Sequence, residues 1–467
     1  MRRAQKLKEF HPRAIKLVPC EDKYTAASGL ATIMEVFDES PLSEGLKEAL
    51  PKRSVANGRS KGSYRLGLIQ INSFLYGHDC LEDLEEFRED PLLEEFLCGE
   101  VCAPKTMGDF LRDATEETSR KMNGYLSKFA RAVRKQLIEV QPEQYKPNPA
   151  FTIDMDSTEH LQHGQVMEGC AWNYKGNWGL YSEVAYDELG FCHGIQLGAG
   201  NTKPGSTCVP LIEHCFAGLK FTDEKYYRAD SAYCWSDVIQ TLIRLGVTYT
   251  ITAHDGNAGW KDQVSEVTEW VPWTYTEDEI KAAAKRKKNK VLPKAEVGRF
   301  FWQPNWAENL RIAVIVKRTW MEKLEDGTAG WKYYAIITNF NLLHHSYQSV
   351  MQWHQKRGGT ENFIKEEKYG YDLKNFPCLE LQANQLFAQL AMVAQNILRW
   401  VALVQKPDKT HYSKKIRRRY IYIPGRVIKH ARQIFLKVPV RFYEEVKMLL
   451  PGLRFNPKSS AFASGFA

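Results

Sequence analysis

Three acidic residues are candidates for divalent-metal chemistry. Asp156 ends a predicted strand in FTIDMDST, Asp230 ends a later one in KYYRADSAY, and Glu361 lies in the helical segment WHQKRGGTENFIKEEK. Carboxylates at the ends of adjacent strands, joined by one from a packed helix, can converge on one point. Mg²⁺ and Mn²⁺ prefer such oxygen ligands. Two ions about 4 Å apart can activate an attacking oxygen and stabilise a leaving one in phosphodiester transfer.

A purely structural interpretation competes with this one. The chain has 56 Asp and Glu residues, most of which are expected at the surface. An Asp that follows a strand is often a turn residue or a helix cap. Spacing alone therefore does not identify a catalytic set, and the residues around Glu361 carry more weight.

Two cations flank Glu361 at helical spacing. The pattern is His354-x2-Arg357-x3-Glu361-x6-Lys368. On one helix these positions share a stripe, and each cation could hold a DNA phosphate beside the metal ions. The alternative is an ordinary exposed ion pair. That alternative does not explain the Gly358-Gly359 pair, which would weaken a purely structural helix.

This segment resembles the Tyr-Arg-Glu-Lys signature of bacterial insertion-sequence DDE transposases, the hairpin-forming cut-and-paste group. His354 stands in the place of the tyrosine. Upstream, IDMDST resembles the first-Asp motif of that family and selects Asp156 over Asp154, together with Thr158.

Two further stretches extend the resemblance. YYRADSAY resembles the second-Asp motif, with Arg228 just before Asp230, and GHDCLEDLEEFREDPLLEEFLCG resembles a helical segment of one subgroup. The similarity covers residues from about 26 to 405.

The resemblance implies an α/β fold, multi-domain α+β overall. It consists of a ribonuclease-H-like catalytic core with a β-rich insertion, flanked by helical N- and C-terminal regions. The predicted divisions are 1–25, a basic arm; 26–145, a helical DNA-binding domain; 146–254, the first part of the core; 255–335, the insertion; 336–405, the second part of the core; and 406–467, a basic C-terminal region.

The resemblance also implies a reaction. Water activated by two Mg²⁺ or Mn²⁺ ions, held by Asp156, Asp230 and Glu361, nicks a strand at the element end. The freed 3′-hydroxyl forms a hairpin, water opens it, and the 3′-ends join target DNA. The implied partners are double-stranded DNA with terminal inverted repeats, target DNA, and a second copy in a homodimer on paired ends. Trp302 and Trp306 could stack an unpaired base of the hairpin, although a Trp in a β-rich stretch is also a usual core residue.

Basic residues are grouped along the chain. There are 64 Lys and Arg against 56 Asp and Glu, a net charge of +8, and the clusters are MRRAQKLK, KAAAKRKKNK and HYSKKIRRRY. Separated clusters suit a long anionic ligand, although each one alone could be a solvated surface. The predicted phosphate-binding residues are Arg357, Lys368, His354, Arg228, Lys414, Lys415, Arg417, Arg418 and Arg419.

Other classes of protein are not indicated. No run of eighteen apolar residues predicts a membrane span, and ten cysteines without a CxxC pair predict neither a zinc site nor a disulfide framework. We expect a cytoplasmic, nucleoid-associated bacterial protein. Two alternatives stay open: a ribonuclease-H-like nuclease without strand transfer, and a domesticated, non-catalytic DNA-binding protein. Retention of all three acids argues against the second.

Overall fold

The computed structural model describes residues 18–457, apart from 54–61, 98, 146–150, 221, 256–259, 287–291, 308, 326, 406–411 and 432. Most of the predicted basic arm, residues 287–290 of the second basic cluster and His411 of the third lie outside the described residues.

The chain begins with a short strand and a series of helices. These are β1 Tyr24–Thr25, α1 Ser28–Asp38, α2 Pro41–Ala49, α3 Ser63–Tyr76, α4 Leu84–Glu89, α5 Pro91–Phe96, α6 Pro104–Arg112 and α7 Glu116–Val140. Pro41, Pro91 and Pro104 each open a helix, where the missing N–H costs no hydrogen bond. Thr115 and Thr118 form a reciprocal cap at the start of α7, which satisfies two otherwise free backbone N–H groups.

A ten-stranded mixed sheet forms the centre of the protein. Its strands are β2 Phe151–Leu161, β3 Ala171–Trp172, β4 Trp178–Asp187, β5 Cys192–Ala199, β6 Lys225–Ala229, β7 Thr248–Thr252, β8 Val271–Pro272, β9 Ala295–Trp302, β10 Ile312–Met321 and β11 Gly330–Thr338. The order is β3-β4-β2-β6-β7-β11-β10-β9-β8, and β5 pairs with β4. Strands β2, β6 and β7 are parallel neighbours. This confirms the predicted mixed α/β fold with a ribonuclease-H-like core.

The strands that follow β7 continue the core sheet. Strand β11 pairs antiparallel with β7, and β10, β9 and β8 follow. One face of this extended sheet therefore runs without interruption from the acidic residues on β2 and β6 to the end of β11.

Helices cover both faces of the sheet. They are α8 Val209–Phe216, α9 Ser236–Arg244, α10 Glu277–Arg286, α11 Tyr347–Gln355, α12 Thr360–Gly370 and α13 Leu381–Gln405. Helices α8 and α9 bury one face together with β2 and β6, whereas α11 packs on the opposite face with β9, β10 and β11. Helix α13 is long and apolar enough to span a membrane by length and composition, but 94% of its most apolar window is buried inside the protein. It is the core helix against which α3 and α7 pack.

The C-terminal part returns to the N-terminal helices. It contains α14 Ser413–Ile416, a π-helical turn Arg417–Ile421, β12 Gly425–His430, β13 Gln433–Lys437 and α15 Val440–Leu453. Strand β12 pairs with both β1 and β13. Residues from both ends of the chain share one hydrophobic core with α13, so the N-terminal helices pack directly onto the rest of the protein.

The segment around Glu361 differs from the single helix that the sequence predicts. Helix α11 ends at Gln355, a 3₁₀ turn covers Lys356–Gly359, and α12 begins at Thr360. The Gly358-Gly359 pair lies in this turn, and glycine has low helix propensity. Tightened turns of this kind inside helical runs often mark functional positions.

Candidate active site

Two carboxylates lie at the same level on adjacent parallel strands. Met155 of β2 is paired in register with Ala229 of β6, and the next residues are Asp156 and Asp230. Burial raises the pKa of Asp156, and the charge of Asp230 raises it further, while the Arg357 guanidinium and the backbone N–H of Ser157 act in the opposite direction. The two acids are therefore close enough to repel one another.

Arg357 bridges from the 3₁₀ turn to this acid pair. Its Nη1 atom lies 3.1 Å from Oδ2 of Asp156, and both side chains are largely shielded from solvent. Burial lowers the pKa of Arg357, but the carboxylates of Asp156 and Asp230 outweigh this effect and the pKa is raised overall. The guanidinium is held over the site by the acids.

The neighbouring acid, Asp154, has a different role. Its two oxygens accept hydrogen bonds from Nε and Nη2 of Arg228 at 2.6 and 2.8 Å, and Thr360 donates to Oδ2 at 3.0 Å. Asp154 and Arg228 are 3% and 4% exposed. This buried pair fastens the start of α12 to the sheet.

A second anchor lies near the end of α12. Tyr186 of β4 donates to Oε1 of Glu367 at 2.5 Å, and burial raises the pKa of Glu367 to about 8. Phe363, on the same side of the helix, covers Gly190 in the turn after β4, where a Cβ atom would lie 2.4 Å from the ring. Sequence reasoning missed Asp154 and Glu367 as positioning residues, because their carboxyls differ from the neighbouring ones only in burial.

These anchors turn another side of α12 toward the end of β2. Glu361 is in the first turn of the helix, exposed, and its carboxylate forms no hydrogen bond or ion pair with the part of the chain that the structure describes. Lys368, two turns later, donates from Nζ to the carbonyl oxygen of Glu159 at 2.8 Å. Arg357 and Lys368, which flank Glu361 in the sequence, thus both contact β2.

The donor set fits a hard divalent cation. Adjacent carboxylates whose repulsion raises a pKa are stabilised by such an ion, which prefers oxygen ligands. Asp156, Asp230 and Glu361 do not form a triplet with ligand atoms within 4.8 Å; among the described residues, Asp79, Cys80 and Asp83 form the one such group. Here Asp156 pairs with Arg357 instead.

Three predicted phosphate-binding residues are corrected by the structure. Arg228 is used by Asp154 and by the carbonyl oxygen of Trp353, 2.8 Å away. His354 is 2% exposed, and burial first, then nearby Arg357 and Arg228, lower its pKa to about 3. Its ring is therefore neutral and enclosed. Arg228 and His354 are both used in contacts inside the protein rather than presented at its surface.

Arg417 is the third predicted phosphate-binding residue that the structure corrects. It is 5% exposed and donates to the carbonyl oxygens of Phe74 and Leu75 at 2.7 and 3.0 Å, which ties the π-helical turn to the end of α3. Trp302 is also corrected as a base-stacking residue, since it is 6% exposed in the core beneath α8 and α9. Trp306 packs against the same core but is only partly buried.

The rest of the C-terminal basic cluster is at the surface. Lys414, Lys415 and Arg418 are exposed, and Nε of Arg419 lies 2.9 Å from Oε2 of Glu445. The backbone N–H of Ser413 donates to Oε2 of Glu366 in α12 at 2.7 Å. This contact places the cluster beside the helix that carries Glu361.

A family model described as Transposase DDE domain group 1 matches residues 13–448. No curated protein matches the chain. The match includes all three acids, the 3₁₀ turn and the C-terminal basic cluster.

Proposed function

The chain belongs to the group 1 family of DDE-domain transposases, and from this premise we propose that it cuts DNA at the ends of a mobile element and transfers the 3′-ends to target DNA. The observation that carries the proposal is the placement of Asp156 and Asp230 at one level on adjacent parallel strands, with Arg357 held against them. A site of this kind can gather metal ions and a phosphodiester in one place.

DDE transposases generally use divalent metal ions. In this protein we assign two Mg²⁺ or Mn²⁺ ions to Asp156, Asp230 and Glu361. Such ions would activate the attacking oxygen and stabilise the leaving one. The protein's own contribution is to hold two ionisable carboxyls together on a rigid sheet, and to present a third from an anchored helix.

The flanking cations would position the DNA. Arg357 uses one N–H for Asp156, which leaves other donors of its planar fork for phosphate oxygens. Lys368 uses one ammonium proton for Glu159 and has two more available. We assign both residues to orientation of the phosphate rather than to proton transfer.

DNA recognition would be distributed over a wider surface. The helical region 26–145 is our candidate for binding the terminal inverted repeats as double-stranded DNA. Lys414, Lys415, Arg418 and Arg419 would contact the backbone, in the partner's DNA within a homodimer on paired ends. Cleavage would proceed through a hairpin, for which Trp306 is the remaining candidate to stack an unpaired base.

The decisive experiment uses duplexes taken from the DNA that flanks the reading frame, with a supercoiled plasmid as target. With Mg²⁺ or Mn²⁺, the full chain should cut these duplexes at one position and join their 3′-ends to the plasmid. Asp156→Ala, Asp230→Ala and Glu361→Ala should bind the duplexes but not cut them. Hairpin products would appear as strands of doubled length under denaturing conditions.

The alternatives give different results. A nuclease without strand transfer would cut the duplexes and leave the plasmid unjoined. A non-catalytic DNA-binding protein would retain the duplexes and cut none of them under either metal. Either result would overturn the proposed function.

A further inference from the structure

Strand β11 carries two consecutive tyrosines that face opposite sides of the sheet. Tyr333 is paired with Arg318, and Tyr334 with Lys317. The two are equally accessible, at 37% and 36% exposed. Because side chains alternate along a strand, only Tyr334 lies on the face that carries the acid pair.

The hydroxyl of Tyr334 is the outer end of a chain of hydrogen bonds. It lies 3.0 Å from Oγ1 of Thr252, and that atom is 3.1 Å from Nε2 of His354. The other ring nitrogen of His354 is 2.8 Å from Oγ1 of Thr250. A neutral imidazole has one donor and one acceptor nitrogen, so the buried ring orders the two threonine hydroxyls and, through Thr252, the phenol.

This series of hydrogen bonds ends beside Asp156 and Asp230. Ala229 is paired in register with Ile251, which puts Thr252 level with Asp230 on the next strand. Burial raises the pKa of Tyr334, and Asp230 raises it too, while Thr252 and the positive charge of Arg357 lower it. The raised pKa keeps the phenol protonated, and therefore able to donate a hydrogen bond, at neutral pH.

We propose that Tyr334 is a DNA-binding residue of the active site, whose hydroxyl donates to a phosphate oxygen of the strand lying over Asp156 and Asp230. The inference rests on the proposed function and extends the phosphate contacts from Arg357 and Lys368 to the β7–β11 side of the site. The hydrogen bond with Thr252 holds the phenol oxygen of Tyr334 in place, and the exposed side of the ring leaves this oxygen accessible to DNA. An anionic phosphate is the part of DNA that gains most from a neutral O–H donor.

The test compares Tyr334→Phe with Tyr333→Phe in the full chain. Each substitution removes one hydroxyl from an equally exposed side chain on the same strand. The comparison therefore shows whether the effect depends on the face of the sheet that the hydroxyl occupies. With the duplexes described above and saturating protein, Tyr334→Phe should slow cleavage by about 10- to 100-fold, the effect of losing one hydrogen bond to a charged group. Tyr333→Phe should match the wild type. Without metal ions, the carboxylates of Asp156 and Asp230 repel the phosphate from the position beside Tyr334, so DNA affinity should then change by less than about 3-fold in both variants.

A second measurement identifies the contact itself. Single phosphates of the duplex are replaced in turn by uncharged methylphosphonates, and cleavage is measured with wild type and Tyr334→Phe. If Tyr334 binds a phosphate, the loss caused by methylphosphonate at that one position should shrink in the variant, whereas a structural role would leave the same profile at every position.

The outcomes separate this inference from the proposed function. A wild type that cuts none of the duplexes overturns both. A wild type that cuts, matched in rate by Tyr334→Phe or showing the same phosphate profile in both proteins, overturns the role of Tyr334 alone.

Discussion

Nη1 of Arg357 lies 3.1 Å from Oδ2 of Asp156, although the two residues are 201 positions apart in the sequence. The contact joins the 3₁₀ turn before α12 to the middle of β2. It places a cation next to the acid pair, and it gives the signature segment a defined position over the sheet.

Replacement of Arg357 tests the importance of this contact. Arg357→Gln should slow DNA cleavage by about 10- to 100-fold, because charged hydrogen bonds to the phosphate disappear, while affinity for the duplex changes much less. Lys356→Gln removes an exposed cation from the same turn and serves as the control. Equal losses in affinity and rate would show that Arg357 only adds to the general DNA-binding surface.

Asp154 and Asp156 should respond in opposite ways to the loss of charge. Asp154→Asn leaves Arg228 buried without its ionic partner, and we expect a loss of ~3–5 kcal/mol in the free energy of unfolding. Asp156→Asn should abolish cleavage without loss of stability, since burial already raises the pKa of this carboxyl. Thermal unfolding and cleavage assays of both variants test these two expectations. A strongly destabilised Asp156→Asn protein would contradict the second.

Glu367 should make stability depend on pH. Its pKa is about 8 in the folded protein against an ordinary value of 4.5, so the folded state keeps a proton that the unfolded chain releases. Stability is therefore highest below pH 4.5 and falls as the pH rises toward 8. Glu367→Gln keeps an oxygen for Tyr186 and should gain stability over the wild type across this range, by about 1.4 kcal/mol per pH unit at most.

Unfolding temperatures measured from pH 4.5 to 8.5 should show a difference between Glu367→Gln and the wild type that grows as the pH rises. Glu366→Gln changes the adjacent, less buried carboxyl and should run parallel to the wild type. If the Glu367→Gln curve also stayed parallel to the wild type, the raised pKa of Glu367 would be contradicted.

The exposed basic cluster should set part of the salt dependence of DNA binding. Replacing Lys414, Lys415 and Arg418 together by Ala should reduce the slope of log affinity against log salt by about 0.9 for each DNA phosphate that these side chains neutralise. Arg417→Ala should instead lower the unfolding temperature, because the carbonyl oxygens of α3 lose their donor. A slope unchanged in the triple variant would place the DNA elsewhere.

Cleavage in trans is the expected consequence of a homodimer on paired ends. Two-fold symmetry would let each protomer hold one DNA end and cut the other. The triple Lys414, Lys415 and Arg418 variant is used at a salt concentration at which it no longer binds DNA by itself. Mixing it there with Glu361→Ala protein should then restore cutting that neither protein shows alone. Absence of restoration at every mixing ratio would favour cleavage in cis.

Much of the fold could be predicted from local patterns. The strand that stops just before Asp230, the helix opened by Pro91, and the β-rich stretch after residue 255 follow from side-chain alternation, proline placement and periodicity. The prediction that the first core strand ends at Asp156 is wrong, because pairing with β4 continues β2 to Leu161. That the β-rich stretch would extend the core sheet through β11 could not be predicted in this way, because strand pairing joins residues far apart in the chain.

The candidate site also has features that local sequence predicts and features that it does not. Local sequence was enough to predict which acids lie on a strand or directly after one and which cations lie near them, since these depend on neighbouring residues. It could not separate Arg357 from Arg228, or Lys415 from Arg417, because each pair has the same charge and similar neighbours. Burial depends on contacts between distant elements. Arg228 and Arg417 are enclosed with carboxylate or carbonyl partners, whereas Arg357 stays partly exposed beside Asp156. Lys415 lies at the surface, where solvent or DNA can compensate its charge.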